Sequence, residues 1–179
     1  AAYLAREKEV YGVASQDYDS LLFGTPILIQ NLTLARKRKT ISGYVNIGPE
    51  LIELERVLNN LQMNLDQLIC LGILSGTDYN PGGIKGIGPK KALIIVKQKK
   101  APALIFKQFP DLDFDWQEVF SLFKKPDVTK TEIEFPKIDK EKIRKILLEH
   151  DFSEERINSA LEKLEDAREK GKQKTLFTF

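Results

Sequence analysis

Apolar positions in the first thirty residues fall in short runs separated by polar and turn-forming residues, and after residue 48 they recur at helical spacing. Residues 2–9 read as the last turns of a helix and residues 10–15, with β-branched and aromatic content, as a short strand. Asp17-Tyr18-Asp19 stands at the exit of that strand. A helical turn over 20–23 leads through Gly24-Thr25-Pro26 to a second apolar strand over 27–29. Residues 31–47 read as a hairpin or irregular strand pair, with Arg36-Lys37-Arg38-Lys39 as a basic tip toward solvent.

From Pro49 the spacing of Leu51, Leu54, Val57, Leu58 and Leu61 predicts a helix, with Pro49 suited to its first turn. A second helix starts after Asn64 as N-cap and runs over 65–74 until Gly76 stops it. Asn80-Pro81-Gly82-Gly83 is turn chemistry, Lys85-Gly86-Ile87-Gly88 is a further tight turn, and Pro89 opens a helix reaching Lys97. Helices are also predicted over 103–108, 116–123 and 140–149. The last one opens at Ser153-Glu154-Glu155-Arg156, carries the stripe Ile157, Ala160, Leu161 and Leu164, and ends by Gly171. Residues 126–136 read as an extended connector and 172–179 as a mobile tail.

With 42% hydrophobic and 30% charged residues in 179, the chain is expected to build one or two small units with a real core. The lone Cys70, inside Leu68-Ile69-Cys70-Leu71, has no internal disulfide partner and reads as core filler, which fits a reducing, intracellular setting. No run approaches the roughly 20 apolar residues of a membrane helix, so no membrane association is expected. The chain opens inside a predicted helix and its one methionine is Met63, so a preceding N-terminal portion is expected. Net charge of +2 is uninformative, but its distribution is not: from Tyr79 to Pro110 there are seven lysines and no acidic residue.

Within that window, Gly86-Ile87-Gly88-Pro89-Lys90-Lys91 places two glycines in the turn before a helix that begins with a proline and two lysines. Glycines remove the Cβ atoms that hold a phosphate away, so backbone N–H groups of the turn and the helix N-terminus can face it. Lys85, Lys90 and Lys91 add positive charge at the same spot. Such contacts position nucleic acid without reading sequence. Leu93, Ile94 and Val96, with Ala92, are expected to face the protein. The same pattern also serves a plain interhelical turn with a solvated lysine face.

Asp17 and Asp19, at i and i+2 where a strand ends, can direct two carboxylates to one side of a sheet edge. Asp78 follows Ser75-Gly76-Thr77, small residues that leave room for an ion. Clustered carboxylates repel unless protonated or neutralised, and hard divalent cations prefer oxygen ligands. The competing reading is that either residue of the pair caps the turn over 20–23. His150 reads as a helix-end cation, Trp116, Phe120 and Phe123 as a core stripe, and Tyr79 as structural.

Asp17-Tyr18-Asp19-Ser20-Leu21-Leu22-Phe23-Gly24, then Gly76-Thr77-Asp78-Tyr79, then Gly83-Ile84-Lys85-Gly86-Ile87-Gly88-Pro89-Lys90-Lys91, in this order and spacing, closely resemble the structure-specific flap endonuclease family of XPG-like nucleases, most of all its archaeal form. The resemblance spans the whole chain, including Glu149-His150-Asp151-Phe152. It implies an α/β fold: the latter half of a PIN-like (resolvase-like) nuclease core, over 1–78, followed by a helical helix–two-turn–helix DNA-binding region over 79–170 and a tail over 171–179.

The resemblance implies that Asp17, Asp19 and Asp78 are catalytic metal ligands in a two-metal site for Mg2+, or Mn2+, hydrolysing phosphodiesters of branched DNA with a 5′ flap, in replication and repair. It further implies that carbonyls of Gly83, Ile84 and Ile87 hold K+, and that Lys85, Gly86, Gly88, Lys90 and Lys91 bind DNA. Gln173, Leu176 and Phe179 resemble the family's box for a PCNA-type sliding clamp. The family's remaining acidic ligands, including a Glu-x-Glu pair expected just upstream of Ala1, its N-terminal strands and its threading arch are not in this sequence. The chain is therefore expected to be a fragment, inactive alone and dependent on that segment for a complete site. A non-catalytic junction-binding and clamp-recruiting module, or a related 5′–3′ exonuclease or repair nuclease, remains the alternative.

Overall fold

A computed structural model describes residues 1–32, 37–41, 43–130, 132–134 and 137–172. The chain forms two compact units, Ala1–Thr131 and Glu132–Phe179.

In the first unit, α1 (Ala2–Arg6) precedes β1 (Val13–Ala14), then α2 (Asp19–Leu22) and β2 (Ile27–Gln30). β3 (Lys37–Thr40) and β4 (Gly43–Asn46) form a separate antiparallel pair, with Lys37 opposite Asn46 and Thr40 opposite Gly43. Lys37, Arg38 and Lys39 therefore lie along a strand and not at a tip; Arg36 lies outside the described residues. β5 (Glu50–Glu53) follows and leads directly into α3 (Leu54–Leu61).

The three-stranded sheet has the order β1-β2-β5, parallel between β1 and β2 and antiparallel between β2 and β5. Residues 50–53 were expected to be helical. They are extended because they satisfy the second edge of β2, Leu28 pairing Ile52 and Gln30 pairing Glu50. Apolar spacing cannot show a ladder to a strand twenty or more residues away.

α4 (Leu65–Ser75) is the hub of the unit. Its start is fixed by a capping box: the Gln67 N–H donates to the Asn64 side chain at 2.9 Å and the Asn64 N–H to the Gln67 side chain at 3.0 Å. Gln67, Leu68, Ile69, Cys70, Ile73 and Leu74 are all buried, because α2, α5 (Pro89–Lys99), α6 (Pro102–Phe106) and α7 (Trp116–Lys124) surround this helix. A helix covered on so many sides is apolar nearly all round. Burial pushes the Cys70 thiol up to about 12, so it remains an inert core group, as expected.

The expected stripe of α7 is in place. Trp116 stacks on Phe106 with ring centroids 4.4 Å apart, and Phe123 is fully buried. On α5, Ala92 and Val96 are buried, whereas Ile94, expected to face the protein, is 55% exposed. Positions 92 and 96 are one turn apart on the covered face, and 94 lies across the helix from them.

The second unit pairs α8 (Lys140–Glu149) with α9 (Glu154–Lys172) around Ile157 and Leu161. His150 is the C-cap of α8, the helix-end position expected for it. Lys140 pairs with Glu165, and the Arg144 guanidinium donates to Asn158 at 2.6 Å. Among the described residues no helix is long and apolar enough to cross a membrane.

Candidate metal centre and nucleic-acid interface

β1 is two residues long, and beyond it the chain turns at the carboxyl end of the parallel β1–β2 pair, where open α/β sheets place their ligands. The Asp17 N–H donates to Ser15 Oγ at 3.0 Å, and Asp17 Oδ1 accepts from the Asp19 N–H at 2.9 Å. Asp17 thus bonds the first N–H of α2 from the position before its N-cap, Tyr18. Asp19 is the first residue of that helix rather than a strand-end residue. The capping and clustering readings of this pair are compatible, since each carboxylate has a second oxygen.

Asp78 comes from another part of the chain. It follows Gly76, the C-cap of α4, in a turn built around two buried polar residues. Thr77 Oγ1 donates to Asn80 Oδ1 at 2.7 Å and accepts from the Tyr79 N–H at 3.2 Å. Asn80 Nδ2 donates to the Ile73 carbonyl at 2.7 Å, which satisfies an end carbonyl of α4. Tyr79 packs edge-on against Phe123 and Phe23, at 5.4 and 6.2 Å between centroids, the structural role expected of it.

These two turns bring one carboxylate oxygen each of Asp17, Asp19 and Asp78 within 4.8 Å of one another. None of the three is in an ion pair among the described residues. Burial pushes the Asp19 carboxyl above its ordinary value, and the Asp17 carboxylate beside it adds to the rise. A hydrogen bond from the Asp78 backbone opposes it. Three all-oxygen donors with unrelieved like charge fit a hard divalent cation. Among the described residues, no other group of three potential metal ligands converges in this way.

The glycine hairpin begins five residues after Asp78 and is packed onto the end of α4. Gly83 has φ +60°, and a Cβ on it would lie 2.5 Å from Gly76 N and 2.6 Å from the Leu74 carbonyl oxygen. The Ile84 N–H donates to that carbonyl at 3.0 Å, and the Gly83 N–H to the Asn80 carbonyl at 3.0 Å. The hairpin is thereby fastened to the same helix end that carries Asp78.

Further along, Ile87 is half-buried as the anchor of the turn, and its N–H donates to the Ile84 carbonyl at 2.9 Å. The carbonyls of Gly83 and Ile87 receive no hydrogen bond among the described residues, and that of Ile84 receives only this one. The N–H groups of Gly86, Gly88, Lys90 and Lys91 find no acceptor there either. Gly88 is the N-cap of α5 without a side-chain cap, and Pro89 supplies its first turn. Lys85, Lys90 and Lys91 are exposed, with Lys91 Nζ bonded to the Gly86 carbonyl at 3.0 Å. Free N–H groups, a helix N-terminus and three ammonium groups share one surface.

Two supports were not foreseen in the sequence. Gln30 is buried at the end of β2, where its side chain bridges the Gln16 carbonyl and the Tyr18 hydroxyl. Its signal was a polar residue two positions after Leu28, on the buried face of an apolar strand. Asn80 was legible only as a turn residue. Gln173, Leu176 and Phe179 lie outside the described residues.

The sequence matches the XPG I-region family over residues 1–78. It is 52% identical over 179 residues to flap endonuclease 1 of Pyrococcus abyssi (strain GE5 / Orsay) and 51% identical over 180 residues to that of Thermococcus onnurineus (strain NA1), each covering 98% of the chain. The chain spans about half the length of these curated relatives, 52% in both cases. The solved structure of flap endonuclease-1 from Methanococcus jannaschii superposes with a TM-score of 0.75 at 38% identity, covering 92% of this chain and 48% of that one. The α/β architecture is that of the PIN-like nuclease domains in this group.

Proposed function

The chain belongs to the flap endonuclease family of XPG-like nucleases, and from that premise we propose that it serves metal-dependent hydrolysis of DNA phosphodiesters at 5′-flap junctions in replication and repair. One observation carries the reading. Asp78, whose carboxylate meets those of Asp17 and Asp19, and the glycine hairpin are fastened to the same end of α4, so a phosphate held by the hairpin is in fixed register with Asp78.

In this reading the unpaired N–H groups of Gly86, Gly88, Lys90 and Lys91 and the side chains of Lys85, Lys90 and Lys91 hold the duplex backbone. The open carbonyls of Gly83 and Ile87, with Ile84, suit K+ bridging to a phosphate. Asp17, Asp19 and Asp78 hold Mg2+ or Mn2+, which supplies Lewis-acid activation at the phosphodiester when bound. These carboxylates also repel a second anion until their charge is neutralised, which couples substrate approach to metal occupancy.

Residues 1–78 thus supply chemistry, 79–170 supply grip, and 171–179 supply recruitment to a sliding clamp through Gln173, Leu176 and Phe179. The first two tasks divide without a gap in packing, since α4 and α5 lie against one another. The one three-carboxylate group among the described residues falls short of the ligands two divalent ions require. We therefore expect this chain by itself to bind branched DNA and not to cut it efficiently.

The test is binding and cleavage of 5′-flap, bubble, nicked and linear DNA of matched sequence, in Mg2+ and K+, with Asp78→Ala as control. Flap-preferring binding with little cleavage is expected. Equal affinity for all four would overturn the junction reading, and efficient Asp78-dependent cleavage the expectation of incompleteness. Loss of clamp pull-down in the double variant Leu176→Ala, Phe179→Ala tests the tail.

A further inference from the structure

We propose that Gln30 is a positioning residue for the carboxylate cluster: from β2 it fixes the loop on both sides of Asp17 and so sets how tightly the cluster holds a divalent cation. This rests on the metal reading above.

Gln30 closes β2 with only 6% of its surface exposed. Its Nε2 donates to the Gln16 carbonyl at 3.2 Å, and its Oε1 accepts from the Tyr18 hydroxyl at 3.0 Å. The amide orientation follows from chemistry, because a carbonyl can only accept and so faces the NH2 group. Gln16 and Tyr18 flank Asp17, so one side chain grips the residue before the ligand and the residue after it.

Few other hydrogen bonds hold this loop, and its far end at Asp19 is carried by the packing of α2 on α4. The β1–β2 ladder covers two residue pairs and is extended by the Ser15 N–H to the Ile29 carbonyl at 3.1 Å. The bonds from the Asp17 N–H to Ser15 Oγ and from the Asp19 N–H to Asp17 Oδ1 lie within the loop and move with it. Apart from the Asp78 backbone, which belongs to the cluster itself, Gln30 makes the hydrogen bonds that tie residues 16–19 to another element among the described residues. Removing its amide lets Asp17 drift relative to Asp19, carried by α2 on α4, and to Asp78, which α4 and Asn80 hold. Ligands to a small hard cation must be placed closely, so drift appears as lost affinity.

A purely structural Gln30 would affect stability and leave metal affinity alone. Gln30→Met keeps the length and volume and removes both bonds. Tyr18→Phe removes one bond at a half-exposed ring, and it decides the question if the first variant does not fold. The probe is Mn2+, titrated into the chain at low salt and followed by the EPR signal of the free ion, with amide hydrogen exchange at Asp17 and Asp19 as a second readout. The expected result is a rise in Kd of about tenfold for Gln30→Met and about threefold for Tyr18→Phe, as for outer-sphere partners of metal ligands, with faster exchange at both amides. Kd values within about twofold of the unsubstituted chain, alongside binding that Asp19→Asn abolishes, would overturn the proposal and leave the metal reading standing. No Asp19-dependent Mn2+ binding by the unsubstituted chain would remove both.

Discussion

Replacing Gly83 by alanine tests the physical link between the carboxylate turn and the phosphate-holding hairpin. At φ +60° an L-residue costs about 1–2 kcal/mol from its own backbone. The added Cβ would lie 2.5 Å from Gly76 N and from the Ser75 carbonyl carbon, and 2.6 Å from the Leu74 carbonyl oxygen. That is about 1 Å inside ordinary contact distance, against backbone atoms that no rotamer change can move. The hairpin must lift from α4, which stretches the 3.0 Å bond from the Ile84 N–H to Leu74; a part-buried pair broken in this way costs about 1–3 kcal/mol. Together the loss is about 2–5 kcal/mol, a large share of a small domain's stability. Gly82→Ala is the internal control: its φ is +83° but nothing lies within 4 Å of the added Cβ, so only the backbone term of about 1–2 kcal/mol applies. Urea unfolding followed by the fluorescence of Trp116, stacked against Phe106, reads both variants. If the two losses agree within about 0.5 kcal/mol, the close approach to α4 is not what holds the hairpin, and the common frame for metal and phosphate fails.

Other outcomes follow from the same geometry. The raised Asp19 carboxyl, pushed up first by burial and then by Asp17, gives a signed pH dependence: below its ordinary value of 3.8 both folded and unfolded chains are protonated and nothing is lost, and stability falls as pH rises through the raised folded value. Asp19→Asn escapes that loss, so its stability relative to the unsubstituted chain should grow across this window in urea titrations without metal; a constant difference would refute the cause assigned. Mg2+ should raise the melting temperature of the unsubstituted chain and leave Asp78→Asn unmoved, measured by calorimetry. Lys90→Ala should weaken binding equally on all DNA sequences and flatten the slope of log affinity against log salt by about 0.9; an unchanged slope would return Lys90 to a solvated face. The Asp115 side chain accepts from the Gln117 and Glu118 N–H groups at the start of α7, and Asp115→Ala should cost about 1 kcal/mol in the same urea assay without altering metal affinity.

Local chemistry was legible where a residue's task is set by its neighbours in the chain. Asn64 as N-cap and Gly76 as the stop fixed the ends of α4, and Pro89 with two lysines fixed the start of α5, because caps and turns are satisfied within a few residues. The Asp17–Asp19 pair, Asp78 and the hairpin could be picked out singly for the same reason. Residues 50–53 could not be read, since their ladder partner Ile27–Gln30 lies twenty or more positions away and their apolar spacing suits a helix equally well. Ile94 failed similarly: an apolar side chain on α5 is exposed because among the described residues no element covers that face.

The sequence by itself therefore determined the family pattern, the ends of α4, the start of α5 and the glycine turns, and it singled out the three carboxylates as candidates. Only the tertiary structure decided that Asp78 meets Asp17 and Asp19 within 4.8 Å, and that Gly83 seats the hairpin on the end of α4. It also gave Gln30 and Asn80 their tasks, as buried amides with partners that sequence distance conceals. The physical reason is the same in each case. A cap or turn is closed by bonds between near neighbours, whereas a ligand cluster and its supports depend on where packing around α4 brings distant segments of the chain.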